Sequence, residues 1–480
     1  MKRLLFSVAV SLIALSSFAK DGYRIQLKMK DVKDTTVFLC HYYGIANPYK
    51  KDSAKLVNGV AEFVSHDSSF AGGIYMVFLP GKNTTFDFLL NNGDNITVTA
   101  DAATLPKGVV FKNSAENTRF ENYVDFLAHY SDGQKALQKQ LEQANSLADT
   151  EVVRKKSVVL AKELDEYRMD YTRNYPGTLL SNIFSAMKLP EIPSGDHFLN
   201  DGKTKDSTFT YKYYKAHFWD GFNFQDDRLV YTPLFDARLD EYFNKLVLPW
   251  PDSVEHEADI LLTKARGTKD IFKYALWWIT RNVENSKVMG MDEAFVYLVE
   301  NYYMKGDAFW LKPEELQKYV DRIQKIAPNV LGHVAPQVKL PDLFSGKDDK
   351  LSDVFSPYTL LLFYSPNCGH CQHEIPLIDS LYNKVLKEKG VKIFTVSTEG
   401  DEKQNTDFVK KQHMDKWGGA NTWDPKNVGN FRSMYDVYST PTLYILDKDK
   451  IIRGKRLDHS NIMNVIQMEE RKARDRLIRK

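Results

Sequence analysis

The distribution of apolar and polar positions divides the chain into successive regions, and the first of them is typical of β-structure. Short runs rich in β-branched and aromatic residues alternate with turn clusters such as the one at 91–95. This pattern predicts antiparallel strands joined by hairpins. The predicted strands are residues 35–40, 73–79, 85–90 and 96–100. We therefore expect a β-sandwich-like domain at residues 20–114.

From about residue 117 the apolar residues recur with the period of an α-helix. The first such stripe, at positions i, i+3, i+4 and i+7, consists of Phe120, Tyr123, Val124 and Leu127. Further helices are predicted at 152–171, 237–247, 271–283 and 292–303. These segments predict a central all-α domain at residues 115–330.

The last region alternates strand-like and helical stretches. Its predicted strands are residues 358–364, 391–397, 441–447 and 450–457, and a final helix is predicted from about residue 461. This alternation, which closes with a β-hairpin, predicts a mixed sheet with helices on both faces. We expect an α/β domain at residues 331–480.

The first residues predict export. A basic start at 1–3 and an apolar run at 4–14 precede the small residues Ser17 and Ala19, as in a secretory signal peptide that ends at residue 19. The apolar run is shorter than the roughly 20 residues that span a bilayer. We expect a secreted protein that works in the periplasm, with signal peptide 1–19 removed and no transmembrane segment left.

Charge and cysteine content narrow the possible functions. The 65 basic and 63 acidic residues leave a net charge of +2, which gives no reason to expect a nucleic acid partner. Three cysteines in 480 residues cannot form a disulfide framework, so the stability must come from packed cores. Cys368 and Cys371 are therefore free for chemistry. Cys40, in a predicted strand, is expected to be a buried, inert thiol.

The two cysteines belong to the run SPNCGHCQHEIP at residues 365–376, between a predicted strand and a predicted helix. CxxC at such a junction is a redox signature. Free N–H groups at the helix N-terminus favour the thiolate of Cys368, the expected nucleophile, and Cys371, one turn further, is expected to resolve the mixed disulfide. Gly369 and His370 lie between them. We expect His370 to stabilise the reduced form and so to make the couple more oxidising.

Other uses of the cysteine pair fit the sequence less well. A zinc site needs about four ligands, and Cys368, Cys371 and His373 supply three. A purely structural disulfide across CxxC would close so short a loop that it constrains little of the unfolded chain. A peroxiredoxin would want proline where Leu361 stands. We expect no metal and no cofactor.

Residues 331–480 resemble the thioredoxin fold, in particular its extracytoplasmic TlpA/ResA-like branch. The resemblance rests on Ala335-Pro336, Leu340-Pro341-Asp342, the CxxC pair, Glu374, Pro376 and Thr440-Pro441-Thr442. The whole layout also resembles secreted bacterial proteins that place an uncharacterised β-domain and a helical domain ahead of such a module.

The resemblance implies roles for further residues. It implies that Pro441 is cis and faces the cysteine pair, and that the backbone of Thr440 offers N–H and C=O groups to a substrate strand. It also implies that Glu374 handles protons. The buried acid of cytoplasmic thioredoxins would fall at Leu362, which leaves Glu374 as the nearby candidate proton acceptor.

These observations predict a periplasmic thiol–disulfide oxidoreductase that exchanges disulfides with client proteins through its CGHC couple. Its expected partners are protein thiols and disulfides and a redox partner protein. The alternative is a protein that binds a ligand or partner through its first two domains, with the thioredoxin-like domain as an accessory.

Overall fold

The structure, a computed structural model, describes residues 22–80, 84–426 and 429–478. The predicted signal peptide at 1–19 lies outside the described residues. Within those ranges, no helix has the length and apolar character needed to cross a membrane. The chain forms two compact units: one runs to residue 246 and includes 263–275, and the other comprises 247–262 and the residues from 276 onward.

The described residues of the N-terminal region form two four-stranded sheets, with strand orders β4-β1-β7-β8 and β3-β2-β5-β6. The strands are β1 Tyr23–Lys30, β2 Thr35–Tyr43, β3 Ile45–Leu56, β4 Val60–Ser65, β5 Gly73–Leu79, β6 Thr84–Leu90, β7 Asp94–Asp101 and β8 Val110–Lys112. Buried residues of one sheet, such as Ile25, share a core with Leu39 and Phe88 of the other. The β-sandwich prediction is therefore confirmed.

Helices follow along the chain. They are α1 Ala115–Glu142, α2 Leu147–Asn174, α3 Leu179–Met187, α4 Phe209–His217, α5 Phe235–Glu241, α6 Pro251–Ala265, α7 Asp270–Glu284, α8 Asp292–Leu298 and α9 Pro313–Ile326. The two 28-residue helices α1 and α2 are each capped at the N-terminus by a serine side chain. Ser114 accepts the N–H of Asn117, and Ser146 accepts the N–H of Asp149. The predicted helical region is confirmed.

In the described residues after 331, the main sheet has five strands in the order β13-β12-β11-β14-β15. The strands and helices are β9 Lys339–Pro341, β10 Asp348–Lys350, β11 Tyr358–Tyr364, α10 Gly369–Leu381, β12 Lys392–Ser397, α11 Glu402–Lys411, β13 Asn421–Trp423, α12 Phe431–Met434, β14 Thr442–Asp447, β15 Ile452–Lys455 and α13 His459–Ile478. Strand β11 pairs in parallel with β12 and antiparallel with β14. This is the predicted mixed sheet.

Strand β11 is buried on both faces, which explains the uninterrupted apolar run at its residues 360–363. Leu362 lies in the core on one face with Ile375 of α10, and Leu361 and Phe363 lie in the core on the other. The packing fixes the position of α10, and with it the position of the cysteine pair at its start.

Candidate active site

The sheet register brings the CxxC motif and the Thr440–Pro441 loop to the same edge. Phe363, near the end of β11, pairs with Thr442 at the start of β14. Cys368 is the N-cap residue of α10, and the Thr440–Pro441 peptide bond is cis. The sulfur of Cys368 lies 3.1 Å from the backbone carbonyl oxygen of Thr440. The structure thus places three of the predicted site residues together.

The Cys368 sulfur is held in surroundings that favour its thiolate. Burial raises the pKa of the thiol, but hydrogen bonds from the side chain of Thr440 and from the backbone N–H groups of Cys371 and His370 outweigh burial and hold the pKa of Cys368 below its usual range. These N–H groups belong to the first turn of α10, where the helix leaves them without helical partners. The side chain is partly accessible to solvent.

Cys371 lies in the opposite environment. It is fully buried and belongs to the same core as Ile375. Burial raises its pKa from the ordinary value of 9.0 to about 12, and the neighbouring Cys368 adds to the effect. Both cysteines are free thiols in the structure. The pair therefore combines an accessible sulfur that ionises readily with a shielded sulfur that keeps its proton.

Gly369 and His370 form the exposed first turn of α10. The space around Gly369 is open, because a Cβ atom built there has nothing within 4 Å. His370 affects Cys368 through its backbone N–H, and its imidazole is exposed beside the pair. The first turn is consequently accessible to solvent beside Cys368.

The carboxylate of Glu374, the expected proton acceptor, is hydrogen-bonded to His459. It accepts the backbone N–H of His459 at 2.5 Å and contacts the Nδ1 atom of the same residue at 2.9 Å. Within the described part of the chain, the hydrogen bonds of Glu374 all go to His459. Glu374 therefore links the active-site helix α10 to the start of α13. A proton-handling role toward Cys371 stays a prediction.

The sequence reasoning missed His459 and the contacts that fix the loop before the cysteines. In that loop the Ser365 hydroxyl donates to the Glu399 carboxylate and accepts the N–H of Asn367 at 3.1 Å. The sequence offered one relevant signal, since Asp458 caps the start of α13 through Ser460. It gave no indication of which helix would face His459.

Besides the CxxC pair, we considered the third cysteine, Cys40, and possible metal sites. Cys40 is buried in β2, as expected, and burial raises its pKa. No group of three or more His, Cys, Asp or Glu side chains in the described ranges could hold a metal ion.

Comparison with known proteins shows three family matches along the chain. Residues 23–120 match a domain of unknown function, DUF4369, and residues 168–329 match another, DUF5106. Residues 331–455 match the AhpC/TSA family. The two uncharacterised domains thus precede the region that carries the cysteine pair.

Among solved structures, a domain of a possible thiol-disulfide isomerase from Cytophaga hutchinsonii is 34% identical to this chain. That match covers 31% of this chain and 99% of the solved one, with a TM-score of 0.28. A thioredoxin-like protein from Bacteroides caccae is 19% identical over 58% of this chain and 98% of its own, with a TM-score of 0.44.

Curated relatives carry the family assignment. Thiol-disulfide oxidoreductase ResA of Bacillus cereus strain ATCC 10987 is 30% identical over 138 residues, which are 28% of this chain and 74% of the relative. ResA of Bacillus thuringiensis subsp. konkukian is 32% identical over 26% of this chain and 68% of the relative. The chain spans 65% of the ResA of Bacillus cereus strain ZK, at 33% identity. Through its C-terminal, thioredoxin-like domain, the chain belongs to the ResA family of thiol–disulfide oxidoreductases.

Proposed function

We propose that the protein is an extracytoplasmic thiol–disulfide oxidoreductase that exchanges disulfides with client proteins through Cys368 and Cys371. The observation that carries the proposal is the contrast between the two sulfurs. The pKa of Cys368 lies below its usual range at the start of α10, whereas the buried Cys371 has a pKa of about 12. Exchange requires one sulfur that attacks as a thiolate and a second that waits.

In the reducing direction, the Cys368 thiolate attacks one sulfur of a client disulfide. A bond forms between Sγ of Cys368 and that sulfur, while the client S–S bond breaks and the other client sulfur leaves as a thiolate. Cys371 then loses its proton and attacks Sγ of Cys368, which releases the first client sulfur as a thiolate. Two electrons pass to the client, and Cys368 and Cys371 end as a disulfide. The reverse sequence oxidises a dithiol client.

The cis-Pro loop supports a site for extended polypeptide. The carbonyl oxygen of Thr440 lies against the sulfur of Cys368, so a client strand that bonds to the Thr440 backbone would have its own sulfur beside the nucleophile. The first turn of α10 is exposed at Gly369 and His370. We assign Pro441 and Thr440 to client positioning, Gly369 and His370 to modulation of the couple, and Glu374 to proton handling.

The location proposal rests on sequence. The basic start, short apolar run and small residues before position 20 are typical of a cleaved signal peptide. An oxidising compartment, with the periplasm as the expected one, would let a dithiol pair meet client disulfides, which are rare in the cytosol.

A trapping experiment tests the exchange. Cys371→Ser should leave client proteins joined to Cys368, because serine cannot resolve the mixed disulfide. Both this variant and Cys368→Ser are expressed with the native first residues, quenched in acid and compared on non-reducing and reducing gels. Cys368→Ser should trap almost nothing.

The matched control is Cys40→Ser, which removes a buried thiol outside the candidate site. Its adducts on the gels should be the same as those of the unmodified protein. If Cys371→Ser yields no reducible adducts, or if it and Cys368→Ser yield the same ones, the exchange proposal is wrong. The alternative, a binding protein with an accessory thioredoxin-like domain, would then be favoured.

A further inference from the structure

A small polar cavity lies within the first compact unit, built by strands of the β-sandwich and the start of α7. Its volume is about 290 Å³. Its lining includes aromatic walls, an imidazole, three lysines and two aspartates. These residues are His41, Tyr43, Lys51, Asp67, Tyr75, Tyr231, Lys269, Asp270 and Lys273. The cavity is separate in sequence from the cysteine pair and takes no part in the exchange proposed above.

The wall of the cavity is a cluster of rings held in fixed contact. The His41 ring lies 5.7 Å from Tyr75 and 5.6 Å from Tyr231, measured between centroids. Tyr43 lies 5.4 Å from Tyr231 in an edge-to-face arrangement. The Tyr231 hydroxyl donates to Asp270 at 2.8 Å. The wall is therefore preformed, as small-molecule sites usually are.

The polar groups of this wall have unused hydrogen-bonding capacity. The Tyr43 hydroxyl is buried and has no hydrogen-bond partner in the described residues. Nδ1 of His41 lies 2.7 Å from the backbone carbonyl oxygen of Tyr42, which can only accept, so Nδ1 carries the proton. Burial lowers the pKa of His41, and in the neutral ring Nε2 is then an acceptor. A buried hydroxyl without a partner is costly, which makes a ligand or water at this position favourable.

The charges at the cavity are unbalanced. Lys51, Lys269 and Lys273 form no ion pair with a carboxylate in the parts of the chain that the structure describes. Asp67 accepts hydrogen bonds from the backbone and hydroxyl of Ser69. Among the lining residues alone, three lysines against two aspartates leave one net positive charge. The nearby carboxylate of Asp227 faces the N-terminus of α7, where the positive end of the helix dipole offsets part of its charge.

The N-terminus of α7 does not supply the positive charge of the cavity, because its free backbone N–H groups already have a hydrogen-bond acceptor. One carboxylate, that of Asp227, accepts the backbone N–H groups of Lys269, Asp270 and Ile271. An anion would therefore be held by side-chain ammonium groups and by the Tyr43 hydroxyl rather than by the end of α7.

From this arrangement we infer that the cavity binds a small hydroxylated organic monoanion. The lysines and the Tyr43 hydroxyl would hold one carboxylate. A ligand hydroxyl would donate to Nε2 of His41, and the aromatic wall would contact the apolar face of the ligand. The single net charge and the volume of about 290 Å³ suit one carboxylate on a ligand of about the size of a monosaccharide acid.

Calorimetric titration of the full chain with sodium glucuronate tests the inference at about 0.15 M salt, where weak surface attraction is screened. Glucose, which lacks the charge, and acetate, which lacks the hydroxyl groups, are the comparison probes. Glucuronate should bind, and each comparison probe should bind about tenfold more weakly or worse, since it loses a charge-assisted or hydrogen-bonded contact.

Two variants locate the site. Lys273→Met and Tyr43→Phe should each weaken glucuronate binding by about tenfold, while Lys55→Met, on strand β3 but outside the cavity lining, should leave it unchanged. Circular dichroism checks that each variant is folded. The inference is overturned if glucuronate does not bind, if glucose or acetate binds as well as glucuronate, or if Lys55→Met weakens binding as much as Lys273→Met.

Discussion

The two thiols of the candidate site should differ strongly in their reactivity. A pKa of about 12 for the buried Cys371 means that roughly one molecule in 10⁵ carries its thiolate at pH 7, against roughly one in 100 for a thiol of pKa about 9. This thousandfold difference corresponds to about 4 kcal/mol. The pKa of Cys368 moves in the other direction. Alkylation at neutral pH should therefore modify Cys368 and leave Cys371 intact.

Pulsed alkylation measures this difference. The reduced protein receives short pulses of iodoacetamide between about pH 6 and pH 10, is quenched in acid, and is analysed by mass spectrometry of peptides. The rate at Cys368 should level off within this range, below the pH at which an ordinary thiol does. In the Cys368→Ser variant, the rate at Cys371 should rise by about tenfold for each pH unit and should not level off, because its pKa lies above the range.

The slope separates ionisation from shielding. Steric shielding lowers the alkylation rate of Cys371 by the same factor at every pH, so it cannot create a plateau or remove one. Cys40 provides an internal comparison, since it is also buried and burial also raises its pKa. A plateau for Cys371 below about pH 9, or equal labelling of Cys368 and Cys371 at pH 7, would refute the reasoning.

Three further measurements test other parts of the structure. His370→Pro should make the couple more reducing by tens of mV in glutathione buffers, given a spread of about 90 mV between thioredoxin and protein disulfide isomerase; an equal or more oxidising variant contradicts this. Glu374→Gln should slow turnover and change the pH–rate profile; an unchanged profile would leave Glu374 with only its contact to His459. Burial raises the pKa of Asp87 to about 6, so the native state binds the extra proton between about pH 4 and 6, and unfolding free energy is lost as pH rises through that window. Asp87→Asn should therefore stabilise the protein at pH 7 but not at pH 4, by at most about 3 kcal/mol, as denaturant titration would show.

Strands β5, β6 and β11 were predicted from the apolar character of their sequences. Strand β11 is buried on both faces and contains the apolar run 360–363, while β5 and β6 lie over one core. Strand β3 was missed because its sequence, IANPYKKDSAKL, is polar. It lies at the edge of its sheet, where backbone pairing with β2 rather than an apolar face defines it.

In the candidate site, too, one part could be predicted from the sequence and another could not. The positions of Cys368 and Cys371 follow from the strand–CxxC–helix order, since a residue at a helix start and one a turn further must differ in exposure. The contact between Glu374 and His459 joins residues 85 positions apart, and the bond between Ser365 and Glu399 joins residues 34 positions apart. Local pattern carries no information about such pairs, because they depend on how helices and loops meet in three dimensions.

The contrast between the sulfurs also bears on the order of events in exchange. In the proposed exchange, attack uses Cys368, whose pKa is lowered, but resolution requires Cys371 to lose a proton that burial holds tightly. Once Cys368 is bound to a client, its sulfur carries no charge and no longer raises the pKa of Cys371. Burial still raises that pKa. Resolution therefore still needs a proton acceptor or a change in the surroundings of Cys371. Glu374 is one turn further along the same helix, and its carboxylate is engaged by His459. The client would stay bound as a mixed disulfide until the contact between Glu374 and His459 changes. We therefore propose that the slow step is release of the client rather than its capture.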